Sequence, residues 1–81
     1  MIWNIETTDA IHDGCGWSAN GCWLNRQQVE LPDNLTDRQI ITRLRKAAGL
    51  NGSAAVTEQF GEGYRWKHPR AAILTFADPH Y

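Results

Sequence analysis

The sequence predicts an α+β fold: an antiparallel β-sheet of four to five strands with one helix, at about residues 36–48, packed on one face. Segments on either side of residues 36–48 alternate apolar and polar side chains, which is typical of half-buried strands. Residues 36–48 instead repeat apolar side chains every three or four positions, as an amphipathic helix does. The expected order is β-β-α-β-β-β, in a single domain of residues 1–81.

Two strands are predicted ahead of the helix, WNIET at residues 3–7 and RQQVEL at residues 26–31. In these segments one side of each strand carries apolar residues, which are Trp3, Ile5, Val29 and Leu31. We expect that side to face the core.

The helix has sequence signals for both of its ends. Thr36 and Gln39 form a capping box, in which each side chain binds the backbone amide of the other, and Leu35 can contact Ile40 as a hydrophobic staple. Gly49 suits the left-handed position that ends a helix. The face expected to pack on the sheet holds Ile40, Ile41, Leu44, Ala47 and Ala48.

Three strands are predicted after the helix, in SAAVTEQF, YRWKH and AAILTFAD, with the turn GEG after the first and a break at Pro69 after the second. Tyr64 and Trp66 alternate with Arg65 and Lys67, which predicts a strand with an aromatic face and a cationic face. A single helix covers one sheet face only. The other face is therefore either solvated or buried against a second copy in a homodimer.

The composition excludes several classes of protein. A 42% apolar and 21% charged chain packs a core, and no apolar run approaches the roughly 20 residues that span a bilayer. The start MIWNIETTDA lacks a secretory signal, so we expect a cytoplasmic protein. Charge is uneven: residues 1–37 hold six acids and one base, whereas residues 38–70 hold seven bases and two acids.

The segment GCGWSANGCW, at residues 14–23, concentrates two cysteines and two tryptophans. Asn20-Gly21 is a strong signal for a type I′ hairpin turn, and that turn holds Cys15 and Cys22 too far apart for a disulfide. A wider loop over residues 16–21 places the two thiols opposite each other and permits one. A cytoplasmic setting favours reduced thiols in either register.

Catalytic and metal-binding interpretations of this segment are weaker. His12 and Cys15 resemble one half of a zinc site, but the second half is missing, and structural zinc needs four ligands. A Cys15 nucleophile with His12 as base and Asp13 or Asp9 as orienting group would need hydrogen-bond geometry that sequence proximity does not supply. We therefore expect no enzyme activity, no metal and no cofactor, with the cysteines as small buried or half-buried residues.

Four tryptophans exceed what so small a core easily encloses. We expect Trp3, Trp66 and one of the remaining pair to fill the core beneath the helix, Trp17 and Trp23 to lie on opposite hairpin faces, and at least one of these two to be exposed. An exposed tryptophan beside Arg26 is typical of protein interfaces. The predicted protein-binding residues are Trp17, Trp23 and Arg26, with the helix bases Arg38, Arg43, Arg45 and Lys46 as a second patch.

The alternative function is nucleic-acid binding. The segment YRWKHPR interleaves bases that could neutralise phosphates with rings that could stack on unpaired nucleobases. The candidate residues are Arg65, Trp66, Lys67 and Arg70. A sequence pI near 6.2 disfavours this alternative, because dedicated binders are usually basic.

The segment LPDNLTDRQIITRLRKAAGL resembles the strand-loop-helix centre of small proteins encoded by phages and other bacterial mobile elements, with the likeness covering about residues 35–50. Anti-CRISPR proteins are similar in size and α+β architecture. The resemblance implies a phage-encoded inhibitor that binds a host protein complex, such as a CRISPR surveillance complex. It transfers no individual binding residue to this chain.

Overall fold

A computed structural model describes residues 1–80 as a five-stranded antiparallel sheet with one helix. The predicted α+β class is therefore confirmed. Along the chain the elements are β1 (Ile2–His12), β2 (Trp17–Glu30), α1 (Asp37–Ala47), β3 (Thr57–Phe60), β4 (Gly63–Lys67) and β5 (Ile73–His80). Across the sheet the strand order is β2-β1-β5-β4-β3, so the first and last strands pair at its centre.

Helix α1 begins and ends as its sequence predicts. The Thr36 hydroxyl accepts the Gln39 amide at 3.3 Å, and the Gln39 side chain accepts the Thr36 amide at 3.0 Å. At the other end Gly49 has φ +76°, and the Leu50 amide donates to the Arg45 carbonyl. These bonds satisfy backbone groups that a helix terminus leaves unpaired.

The main core lies between α1 and one sheet face. Leu44 and Trp66 are fully buried there, and the Trp3 and Tyr64 rings stack with their centroids 6.0 Å apart. The Trp66 indole nitrogen donates to the Thr57 hydroxyl at 2.8 Å, so burial leaves its polar group satisfied. The cluster comprises Trp3, Ile5, Leu31, Leu44, Leu50, Ala55, Tyr64, Trp66 and Ala77.

The turn between β1 and β2 is not at Asn20-Gly21, and that prediction is wrong. The chain reverses at residues 13–16, where the Asp13 amide donates to the Gly16 carbonyl and the Asp13 carboxylate accepts the Cys15 amide and the Ser18 hydroxyl. Asn20-Gly21 lies instead inside β2, where the β1–β2 register shifts and Gly21 takes φ +83°. A glycine in the left-handed region also suits a bulge.

Strand β4 brings its backbone unusually close to that of β5 at Gly63. A side chain at Gly63 would place its Cβ 2.0 Å from the Ala77 carbonyl oxygen, so only glycine fits β4 at this point. In the same strand Tyr64 and Trp66 face α1, whereas Arg65 pairs in register with Phe76 and Lys67 with Leu74. The predicted aromatic and cationic faces of this strand are both present.

Within the described residues, no helix has the length and apolar character needed to cross a membrane.

Candidate functional site

In the described part of the chain, α1 packs on one sheet face and no helix covers the opposite face. We call it the open face. Its register places large aromatic and cationic side chains from four strands on the same side, which are Trp17, Trp23, Arg26, Phe60, Arg65, Lys67 and Phe76.

Bulges in β2 bring both hairpin tryptophans to the open face. Trp17 pairs with His12 and Trp23 pairs with Thr8, and these two β1 partners point to the same side of the sheet because they are an even number of residues apart. Trp17 is half-buried and Trp23 is 44% exposed. The prediction that at least one of the two tryptophans is exposed is thus confirmed. The prediction that they lie on opposite faces is wrong, and so is the prediction that one of them packs beneath the helix.

Each of the three bases on the open face lies against an aromatic ring. The Lys67 ammonium is 4.2 Å from the Trp17 ring centroid, the Arg26 guanidinium carbon 4.8 Å from that of Trp23, and the Arg65 guanidinium carbon 5.1 Å from that of Phe60. The Phe60 ring in turn meets Phe76 edge-on at 5.3 Å. These distances are within the range of cation–π attraction.

A small second core lies under these side chains. Leu74 and Thr8 are fully buried although they point away from α1. The Thr8 hydroxyl donates to the Cys22 carbonyl at 2.9 Å, which ties β1 to the bulged part of β2. Because no helix covers Leu74 and Thr8, the long side chains of the open face itself exclude water from them.

The open face is close to electrically neutral. Glu6 lies 3.7 Å from Arg26 and Glu58 lies 2.5 Å from Arg65, so two of the three bases have carboxylate partners. Asp78 faces the same side, and partial burial, together with the nearby Glu6 carboxylate, raises its pKa. A face of balanced charge is unsuited to attract a polyanion over distance.

Arg45 differs from the other helix bases because it is used within the fold. Its guanidinium donates to the backbone carbonyls of Leu50, Ser53 and Ala55, at 3.2, 2.7 and 2.5 Å. It is therefore committed to holding the loop after α1 and is not available to a partner. Arg38, Arg43 and Lys46, by contrast, are exposed.

The candidates for nucleic-acid binding are not brought together. Trp66 is fully buried and cannot stack on a nucleobase, which corrects its placement among exposed rings. Arg65 is paired with Glu58, and Lys67 donates to the carbonyls of His68 and Ala71. Of the four residues only Arg70 is exposed, with no hydrogen bond or ion pair within residues 1–80.

The cysteine segment forms a polar turn. Cys15 and Cys22 are free and exposed, so their expected burial is wrong. The Cys15 amide and the Ser18 hydroxyl, both donating to the Asp13 carboxylate, lower its pKa. Among residues 1–80, no three His, Cys, Asp or Glu side chains lie close enough together to hold a metal ion.

Sequence reasoning missed Phe60 and Phe76 as members of the open face. Each lies in a predicted strand, but the strands join only through pairings between distant parts of the chain. The alternation of Ile73, Thr75 and Ala77 with Leu74 and Phe76 is the one local signal that separates the two faces of β5.

Comparison of the chain with protein-family models, with curated proteins and with solved structures found no match.

Proposed function

We propose that this chain is a non-enzymatic protein-interaction module that binds a folded partner protein through its open face. The observation that carries the proposal is the pairing of exposed Trp23 with Arg26 beside Trp17 and Lys67. Tryptophan and arginine contribute more than other residues to interface energies, and here each is already oriented by its neighbour. Preorganised side chains lose little conformational freedom on binding.

The charge balance of the open face favours protein over nucleic acid as its ligand. Glu6 and Glu58 neutralise Arg26 and Arg65, which leaves few cations to replace the counterions around phosphates. Mixed charges around aromatic side chains instead suit a protein surface with both charge signs.

A narrower form of the proposal is a phage-encoded inhibitor acting in the bacterial cytoplasm. The resemblance of residues 35–50 to small phage-encoded proteins, and the similar size and α+β architecture of anti-CRISPR proteins, support it. A CRISPR surveillance complex is then the first partner to test. A purified surveillance complex should lose target-DNA binding or cleavage when the chain is added in excess.

The general proposal is tested by affinity capture from a nuclease-treated bacterial lysate, with three versions of the protein as bait. These are the wild type, the double variant Trp23→Ala/Arg26→Ala, and the control Asn51→Ala, which changes an exposed loop away from β2. Circular dichroism melting first establishes that all three are folded.

A stoichiometric protein retained by the wild type and the control, but lost with the double variant, supports the open face as the docking surface. Equal recovery with all three baits contradicts it. A partner recovered only in a parallel capture without nuclease would instead assign the function to nucleic-acid binding by the exposed basic residues.

A further inference from the structure

We propose a second docking site on the opposite side of the sheet, where the groove between α1 and strand β2 binds an acidic protein segment in extended conformation. The groove encloses about 400 Å³ and is lined by Val29, Leu31, Arg43, Lys46 and Ala47. It goes beyond the open-face proposal and does not depend on it.

The groove has an apolar floor and a cationic wall. Val29 is half-buried and Leu31 is buried, and both lie at the β2 end of the main core. The wall is the flank of α1, from which Arg43 and Lys46 extend into solvent. The Gln27 side chain donates to the Ala47 carbonyl at 2.9 Å and fixes the distance between strand and helix.

Strand β2 is an edge of the sheet, because β1 is its only neighbour in the described residues. Alternate residues of an edge strand point their amides and carbonyls away from the sheet, where an added strand can pair with them. A peptide that extends the sheet next to a helix gains main-chain hydrogen bonds from the strand and side-chain contacts from the groove. This geometry selects an extended segment as the occupant.

The unpaired positive charges beside the groove favour an acidic segment as its occupant. Within residues 1–80 the ion pairs join Met1 to Asp33, Arg26 to Glu6 and Arg65 to Glu58. The three exposed bases of α1 thus have no carboxylate within 4 Å in that part of the chain. A smaller hollow lined by Arg38, Gln39, Thr42 and Arg43 shares Arg43 with the groove and continues the cationic flank.

A nucleic acid fits the groove less well than a peptide. The floor of the groove is apolar, and the edge of β2 offers hydrogen bonds that match a peptide backbone. The side chains of an added strand that point to the α1 side are every second residue. Apolar residues among them would contact Val29 and Leu31, and acidic ones would lie near Arg43 and Lys46.

The test is selection from a displayed library of random twelve-residue peptides on the immobilised wild-type protein. The expected result is enrichment of sequences that combine Asp or Glu with apolar residues. The tightest peptide is then synthesised with a fluorophore, and its affinity is measured by fluorescence anisotropy for the wild type and two double variants.

Arg43→Glu/Lys46→Glu should weaken binding at least tenfold, whereas Trp23→Ala/Arg26→Ala, on the open face, should leave it unchanged. N-methylation of every second peptide amide can be done in two ways, on the odd or on the even positions. Only one of these sets points toward β2, and its methylation should abolish binding because it removes main-chain donors. Circular dichroism establishes that each protein variant is folded.

Failure to enrich acidic peptides, or affinity unchanged in the double glutamate variant, would overturn the groove proposal. Loss of affinity in the open-face variant alone would place peptide binding on the open face. Tighter binding of a labelled single-stranded oligonucleotide than of any selected peptide, with loss in the double glutamate variant, would assign the bases to nucleic acid.

Discussion

Trp66 and Lys67 are adjacent in the chain and lie on opposite faces of the sheet. The Trp66 indole is fully buried beneath α1, and its nitrogen donates to the Thr57 hydroxyl. The Lys67 ammonium lies over the Trp17 ring on the open face and donates to the carbonyls of His68 and Ala71. One strand therefore supplies both the main core and the proposed docking surface.

The contact of Lys67 with Trp17 should contribute measurably to stability. A double-mutant cycle with Lys67→Met and Trp17→Leu should give a coupling free energy of about 0.5–1 kcal/mol, the range for cation–π pairs near the surface. Urea unfolding of the four proteins measures it. The control cycle of Arg70→Met with Trp17→Leu should show no coupling, and equal values for the two cycles would argue against the contact.

Arg45 should be the base on α1 whose replacement destabilises the fold most. Arg45→Lys keeps the charge but loses the planar group that reaches three carbonyls, so we expect the free energy of unfolding to fall by about 2 kcal/mol. Arg43→Lys, on the exposed flank, should change it by less than about 0.5 kcal/mol. Chemical denaturation compares the two, and similar losses would contradict the assigned role.

Gly63 should tolerate no side chain. Gly63→Ala places a methyl group against the Ala77 carbonyl and should lower the free energy of unfolding by about 3 kcal/mol or more, through separation of β4 from β5. Gly61→Ala is the matched control in the same hairpin. With φ +59° and open space around it, it should cost only about 1–2 kcal/mol. Thermal or urea unfolding that ranks Gly61→Ala as the more damaging change would refute this account.

His68 should make the fold less stable in mild acid. Burial, and secondarily the Lys67 charge, lower its pKa, while its Nε2 lies 2.8 Å from the Thr75 hydroxyl oxygen. The unfolded chain then binds a proton more readily than the native one, so stability decreases as the pH falls below about 6.5, until the native ring is also protonated. His68→Gln should remove this dependence.

The raised pKa of Asp78 acts in the opposite direction. The native chain retains the Asp78 proton at a pH where the unfolded chain has lost it, so this group lowers stability as the pH rises above about 3.8. Comparison of His68→Gln with the wild type at each pH removes that shared contribution. Urea unfolding from pH 4 to pH 8 measures the difference, and parallel curves for the two proteins would refute the assignment to His68.

Local signals in the sequence predicted the local parts of the fold. The capping box at Thr36 and Gln39, the helix end at Gly49 and the alternation of Tyr64 with Arg65 each depend on contacts within a few residues, and the structure contains all three. Burial of Trp3 and Trp66 followed from the same periodicities.

The errors arose where two local signals compete, or where residues far apart in the chain decide the outcome. Asn20-Gly21 carries a turn signal, but the Asp13 carboxylate holds the actual turn and leaves Gly21 to form a bulge. Arg45 cannot be separated from its neighbours on α1 until the path of residues 50–55 is known. The open face likewise depends on register, since one shifted residue in β2 changes the face on which Trp17 and Trp23 lie.

The pairing of β1 with β5 also determines when the chain can fold. Ile2 is in register with His80 and Trp3 with Pro79, so the centre of the sheet joins segments almost eighty residues apart. Such non-local pairing slows folding because a long loop must close before the contacts form. During synthesis, the edge of β1 that pairs with β5 stays unpaired until β5 has emerged from the ribosome. Folding of this chain is thus completed only at the end of translation of these residues, which makes the nascent hairpin the stage most exposed to aggregation.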